Sequence, residues 1–162
     1  MDEEKQLKAW SRDDARVRIR KYCDYQERSL KDVRVKLINH KIFGTLNETI
    51  ISELIEEDIL NEERYAAAFV RGKFAYNQWG KKKIKAELTF EQVPNSIIEH
   101  ALMQIDDFDY VNTIKILLQK KYKELMRKEE DILKLRRKLY QHLLQKGYSF
   151  EEVQPIVDSL MI

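Results

Sequence analysis

The stretch Trp79-Gly80-Lys81-Lys82-Lys83-Ile84-Lys85-Ala86-Glu87-Leu88, running on through Thr89-Phe90-Glu91-Gln92-Val93-Pro94, decides the fold. Ile84 and Leu88 stand one helical turn apart, so both lie on one face; Val93 follows after a short turn. The same spacing returns at Val33, Leu37 and Ile42, and again at Leu139, Leu143 and Tyr148, a period of 51 to 55 residues. Each triplet has a longer apolar-periodic segment before it and another behind it. The chain therefore reads as three helix–helix–helix units.

A unit of about 50 residues cannot bury both sides of its helices alone, whereas stacked units can. The expected fold class is all-α: three tandem three-helix, helix-turn-helix-like repeats in an elongated, crescent-shaped array. The divisions fall at an N-terminal extension over 1–11, unit 1 over 12–60, unit 2 over 61–105 and unit 3 over 106–162. No Pro/Ser-rich linker separates them, so they should abut.

Helix-start signals set the expected elements. Ser29 with Asp32 opens the middle helix of unit 1, and Thr45-Leu46-Asn47-Glu48 reads as a capping box for its third helix. Asn61 caps the helix that carries Tyr65, Ala68 and Phe69. Gly80 separates that helix from the next, and Pro94 stands at a helix start. Gly147 ends one helix and Ser149-Phe150-Glu151-Glu152 begins the last. Pro155 lies inside that last helix and is expected to kink it.

Composition narrows the function. The 162 residues are 43% hydrophobic and 36% charged, with only four Gly and two Pro, a helix-rich globular make-up. The single cysteine, Cys23, can form no internal disulfide and reads as a small buried residue. His40, His100 and His142 fall in different units and read as core or surface histidines, so no metal is expected. No stretch approaches the roughly 20 apolar residues of a membrane span. A glycine-rich phosphate loop, a metal-spaced His pair and a Gly-x-Ser-x-Gly elbow are all missing from the sequence. The reading is a non-enzymatic, cytoplasmic protein without cofactor or membrane contact, and a monomer.

Thirty Lys and Arg against 28 Asp and Glu give a net charge of only +2, so distribution carries the information. The third helices, expected over 47–58, 94–105 and 149–160, hold nine acids and no Lys or Arg. Phosphates would repel them, and they lack an Arg to read guanine, which disfavours readout of the major groove. The middle helices, expected over 29–41, 80–91 and 130–146, carry net charges of +3, +2 and +3. Their Lys31, Arg34, Lys36, Lys81, Lys82, Lys83, Lys85, Lys134, Arg136, Arg137 and Lys138 form a candidate basic stripe for a polyanion or a filament. Trp79 joins them as a candidate anchor or stacking residue; the competing reading has Trp79 and Phe74 fill the seam between units 1 and 2.

The run Ile59-Leu60-Asn61-Glu62-Glu63-Arg64-Tyr65-Ala66, continuing Phe69-Val70-Arg71-Gly72-Lys73-Phe74 and Trp79 to Leu88, resembles the central signature of the RecX family. Weaker matches lie at Tyr22 to Leu37 and at Leu139 to Val153. The resemblance spans Ala15 to Leu160. It implies a three-unit helical crescent that lodges in the groove of a RecA–DNA filament on single-stranded DNA and limits filament extension, ATP hydrolysis and strand exchange. It carries over no catalytic residue, and direct DNA binding by the chain alone should be weak. The sequence departs from the family at Asn39-His40-Lys41-Ile42 and Glu91-Gln92-Val93, where a Lys-Gly pair is usual. The alternative function is a basic helical DNA-binding protein, transcriptional or architectural, that acts without a recombinase.

Overall fold

The computed structural model describes residues 7–162. They form nine helices and no strand: α1 (Arg12–Tyr25), α2 (Leu30–Asn39), α3 (Gly44–Glu56), α4 (Glu62–Ala75), α5 (Lys81–Phe90), α6 (Asn95–Leu102), α7 (Asp107–Leu125), α8 (Ile132–Gln145) and α9 (Phe150–Leu160). The all-helical, three-unit expectation holds among the described residues. Helices α1–α3 pack on one another, as do α4–α6 and α7–α9.

The repeated triplet has a specific cause. In each unit the middle helix ends in a Schellman turn, and the third apolar residue is the one that closes it. Ile42 N–H donates to Leu37 O at 2.9 Å, Val93 N–H to Leu88 O at 3.1 Å, and Tyr148 N–H to Leu143 O at 3.1 Å. All six residues are buried. The residue before each closing residue must adopt a left-handed backbone. Gly147 does so at φ +100°, while Lys41 (φ +67°) and Gln92 (φ +62°) do so with a side chain. The two turns without glycine thus keep the left-handed geometry of the third, at about 1 kcal/mol each.

Most start signals act as read. Ser29 with Asp32 and Ser149 with Glu152 form complete capping boxes, and Asn61 accepts from Arg64 N–H. The expected box at Thr45–Glu48 does not form. Helix α3 starts at Gly44 after an N-cap Phe43 that offers no side-chain bond. Asn47 is instead buried inside the helix, where its Nδ2 donates to Arg34 O and Ile42 O, and Glu48 turns to Arg34. Helix α9 runs through Pro155, which forgoes the bond to Glu151 O while the helix continues to Leu160.

Two apolar cores result. One belongs to unit 1 alone and centres on Ile19, Val33, Leu37, Ile50 and Leu54. The other runs from Ala66 to Val157 and joins units 2 and 3. Trp79 and Phe74 pack against this second core, so they fill a seam on the unit 3 side rather than the unit 1 side. Phe74 meets the ring of Tyr110 in α7 at 5.9 Å.

Residues 1–6 of the expected extension lie outside the described region. Lys8–Trp10 clasp unit 1. The Trp10 N–H donates to His40 O at 3.0 Å, and its indole stacks on the His40 ring at 3.7 Å. His40 Nδ1 lies 2.6 Å from Lys8 O, which makes that nitrogen the donor.

Candidate functional site

The densest basic feature is the start of α5. Gly80 is its N-cap and contributes no side chain, so the free N–H groups of the first turn look elsewhere. Gly80 N–H donates to Lys146 O at 2.8 Å and Lys82 N–H to Gly147 O at 3.0 Å, while the Tyr110 hydroxyl accepts from Lys81 N–H at 3.0 Å. Unit 3 therefore caps the helix. The first turn holds Lys81, Lys82 and Lys83 and no acid. The helix dipole favours anions there, so three ammonium groups oppose α5's own stability and raise the local positive potential.

Aromatic faces hold part of this charge. Lys73 and Lys83 place their ammonium groups 4.7 and 4.3 Å from the Trp79 ring centre, and Lys81 sits 4.7 Å from the Tyr110 ring. The half-buried indole is clamped between two cations, which orients them without neutralising them. Tyr110 and Tyr148 behind the site have their phenol pKa values raised by burial, so both remain neutral hydrogen-bonding groups. Tyr148 O–H donates to Gln78 O at 2.8 Å and fixes the loop that presents Trp79.

The candidate stripe divides on inspection of its partners. Arg34 pairs with Glu48 at 3.0 Å, Lys85 with Glu99 at 2.6 Å, and Lys138 with Glu129 at 2.9 Å; Arg136 pairs with Asp158. Three of these four acids belong to the third helices, so much of the opposite charge on the two helix types is used within a unit. Lys31 donates to Phe90 O at 3.1 Å and lies over the Phe90 ring, so it serves the boundary between units 1 and 2. Lys36 points over Tyr22 at 5.2 Å. Among the described residues, Lys36, Lys81, Lys82, Lys83, Lys134 and Arg137 meet no carboxylate. Lys81, Lys82 and Lys85 line one shallow depression with Met103, and Lys31 and Lys36 line another with Tyr22. Lys134 and Arg137 line neither.

Sequence reasoning missed two groups. Lys73 lies outside the middle helices, and only the fold brings it to Trp79. The second half of α7 and the turn after it are also basic: six Lys and Arg against one acid fall between Lys115 and Lys128. Lys120, Lys123, Arg127 and Lys128 there are exposed. That density is the signal in the sequence. His142 faces this charge, and its pKa is lowered by burial and then by Lys121 and Lys146.

Among the described residues no cluster of three or more His, Cys, Asp or Glu could hold a metal ion, and no helix is long and apolar enough to cross a membrane. Cys23 is buried, and burial pushes its thiol up to about 11.

This chain is similar to known proteins described as RecX. Residues 61–102 match the family model described as RecX, second three-helix domain, and residues 109–157 match RecX, third three-helix domain. The regulatory protein RecX of Clostridium acetobutylicum is 28% identical over 148 residues, covering 90% of this chain and 68% of that protein. That of Clostridium perfringens strain 13 is 34% identical over 130 residues, covering 80% of this chain and 60% of that protein. That of Streptococcus uberis is 28% identical, and the chain spans 53% of its length. The crystal structure of RecX from Lactobacillus salivarius superposes with a TM-score of 0.83 at 28% identity, covering 92% of this chain and 96% of that one.

Proposed function

The chain belongs to the RecX family of regulatory proteins, and on that premise we propose that it regulates a RecA recombinase by binding alone, as a negative regulator. In this reading it lies as a monomer in the groove of the RecA filament on single-stranded DNA and limits filament extension, ATP hydrolysis and strand exchange.

One observation supports the reading above the rest: Lys81, Lys82 and Lys83 occupy the first turn of α5, beside the clamped Trp79, where they oppose the stability of their own helix. An arrangement that works against folding is accounted for if an external anion completes it. The acidic third helices and the net charge of +2 keep affinity for free DNA modest. Several weak contacts made together along a filament convert into avidity through effective concentration.

The test adds the protein to recombinase assembled on single-stranded DNA and follows ATP hydrolysis. Hydrolysis should fall at less than one copy per recombinase protomer. The joint substitution Lys81→Ala, Lys82→Ala and Lys83→Ala should weaken the effect and flatten its salt dependence, by a logarithmic slope of roughly 0.7 for each lost single-strand phosphate contact. Unchanged hydrolysis at equimolar protein, together with a duplex site preferred by roughly 10³ or more, would replace this reading with sequence-specific DNA binding.

A further inference from the structure

On unit 2, a trough of about 700 Å³ opens between α4 and α6 and is closed at one end by the start of α7. One face of α4 forms its first wall through Glu63, Ala67, Arg71 and Ala75, spaced four residues apart. Alanines at two of these positions leave the space that larger side chains would fill. The floor is apolar, with Val70, Phe74, Ala101 and Ile105 among its lining residues. The α5 lysines are absent from its lining.

The charge of the rim selects the occupant. Glu63, Asp106 and Asp109 line the trough and, among the described residues, pair with no cation. Arg64 also lines it, but its charge is already met by Glu27 at 2.5 Å and Asp58 at 3.3 Å. Among the described residues, Arg71 is the one unpaired guanidinium there, against three unpaired carboxylates. Helix capping accounts for the presence of these acids: Asp106 caps α7, while Glu63 and Asp109 lie in first turns. Capping does not account for an unfilled apolar floor between them. A phosphate chain would be repelled by this rim, so the trough and the α5 face call for opposite partners.

We propose that the trough docks a segment of a partner protein that carries an apolar anchor flanked by Lys or Arg. The anchor fills the space beside Ala67 and Ala101, and the flanking cations meet Glu63 and Asp109. Small side chains at the wall permit close approach, and burial of the anchor supplies affinity while the rim supplies the sign of the partner. The protein then has two working faces on one unit, one for polyanion and one for protein.

The test needs no recombinase, so it stands or falls apart from the filament reading. The full chain is titrated with a short synthetic peptide of leucine and tryptophan flanked by lysines, and with the same peptide flanked by glutamates, while methyl NMR signals are followed. The lysine peptide should shift the methyls of Ala67, Val70, Ala101 and Ile105, and the glutamate peptide should not. Glu63→Gln with Asp109→Asn should weaken binding about tenfold, in line with the loss of two partly exposed ion pairs. Ala67→Trp should fill the trough and abolish the shifts, with circular dichroism as a check on folding; the carboxamide pair keeps the test decisive if that variant misfolds. Equal binding of both peptides, or no shift at these methyls, overturns the proposal. Concentration-dependent shifts of the same methyls without peptide would overturn it in favour of a second copy of this chain.

Discussion

The two boundaries between units are built from different materials. Between units 2 and 3, backbone meets backbone: Gly80 lies so close to Gly147 that a Cβ on Gly80 would sit 2.3 Å from the Gly147 carbonyl carbon. The N–H groups of Gly80, the N-cap of α5, and of Lys82 cross the boundary to Lys146 O and Gly147 O, and a single apolar core runs beneath. Between units 1 and 2, side chains do the work. Arg64 reaches Glu27, the buried Ser29 hydroxyl donates to Glu91 at 3.0 Å, and Lys31 covers Phe90. Backbone bonds over an apolar core are little affected by salt, whereas partly exposed ion pairs are screened by it. Units 2 and 3 should therefore unfold as one body, with unit 1 as a second, more loosely coupled one.

The largest expected effect comes from breaking the tight boundary. Gly80→Ala places a methyl among backbone atoms that cannot rotate away, and should destabilise the protein by about 3 kcal/mol or more in urea unfolding. Gly147→Ala should match it, because its Cβ would meet Lys83 Cβ at 2.3 Å and its φ is +100°. A loss under about 1 kcal/mol at either glycine would show that the boundary is looser than its geometry.

Breaking the loose boundary should do less, and in a salt-dependent way. Arg64→Ala should cost about 1 kcal/mol or less, with the difference from wild type shrinking at high salt. The two tryptophans report on the two bodies, Trp10 on unit 1 and Trp79 on units 2 and 3. In single Trp→Phe variants, the Trp10 transition should precede the Trp79 transition as salt rises. Coincident transitions under all conditions would merge the bodies into one.

Smaller still are the left-handed turns. Lys41→Gly and Gln92→Gly should each stabilise by about 0.5–1 kcal/mol through relief of backbone strain, partly offset by the greater freedom of the unfolded chain. The third turn admits no reverse exchange, since Gly147 is held by close approach as well as by φ.

The smallest effect is a pH slope. His142 in unit 3 has its pKa lowered in the folded protein, so the unfolded chain binds the proton more readily. Its contribution is present above the ordinary imidazole value of about 6.5 and is lost as pH falls through the folded value. His142→Gln should flatten stability over that acidic range, and an unchanged slope would remove His142 from the account.

Much of this was legible in the sequence for an identifiable reason. The Schellman turns, capping boxes and helical faces depend on residues within about ten positions of one another, and such short-range preferences survive in a linear reading. The Thr45 box failed because Asn47 is drawn into the unit 1 core by bonds to Arg34 O in α2 and to Ile42 O in the turn after it, a tertiary demand stronger than a capping preference. The basic stripe was half legible. Its residues were visible, but Arg34, Lys85 and Arg136 meet partners 14 to 22 positions away in the neighbouring helix.

The sequence alone determined three helical units, their approximate ends and the excess of lysine before Ile84, because propensity, capping and periodicity are local. Only the tertiary structure decided which lysines keep a free charge and which side of Trp79 is covered. It also decided where two glycines touch and where an acidic trough stays open. Each of those outcomes rests on groups that the chain brings together from as many as 70 positions apart, and there packing, not local preference, sets the contact.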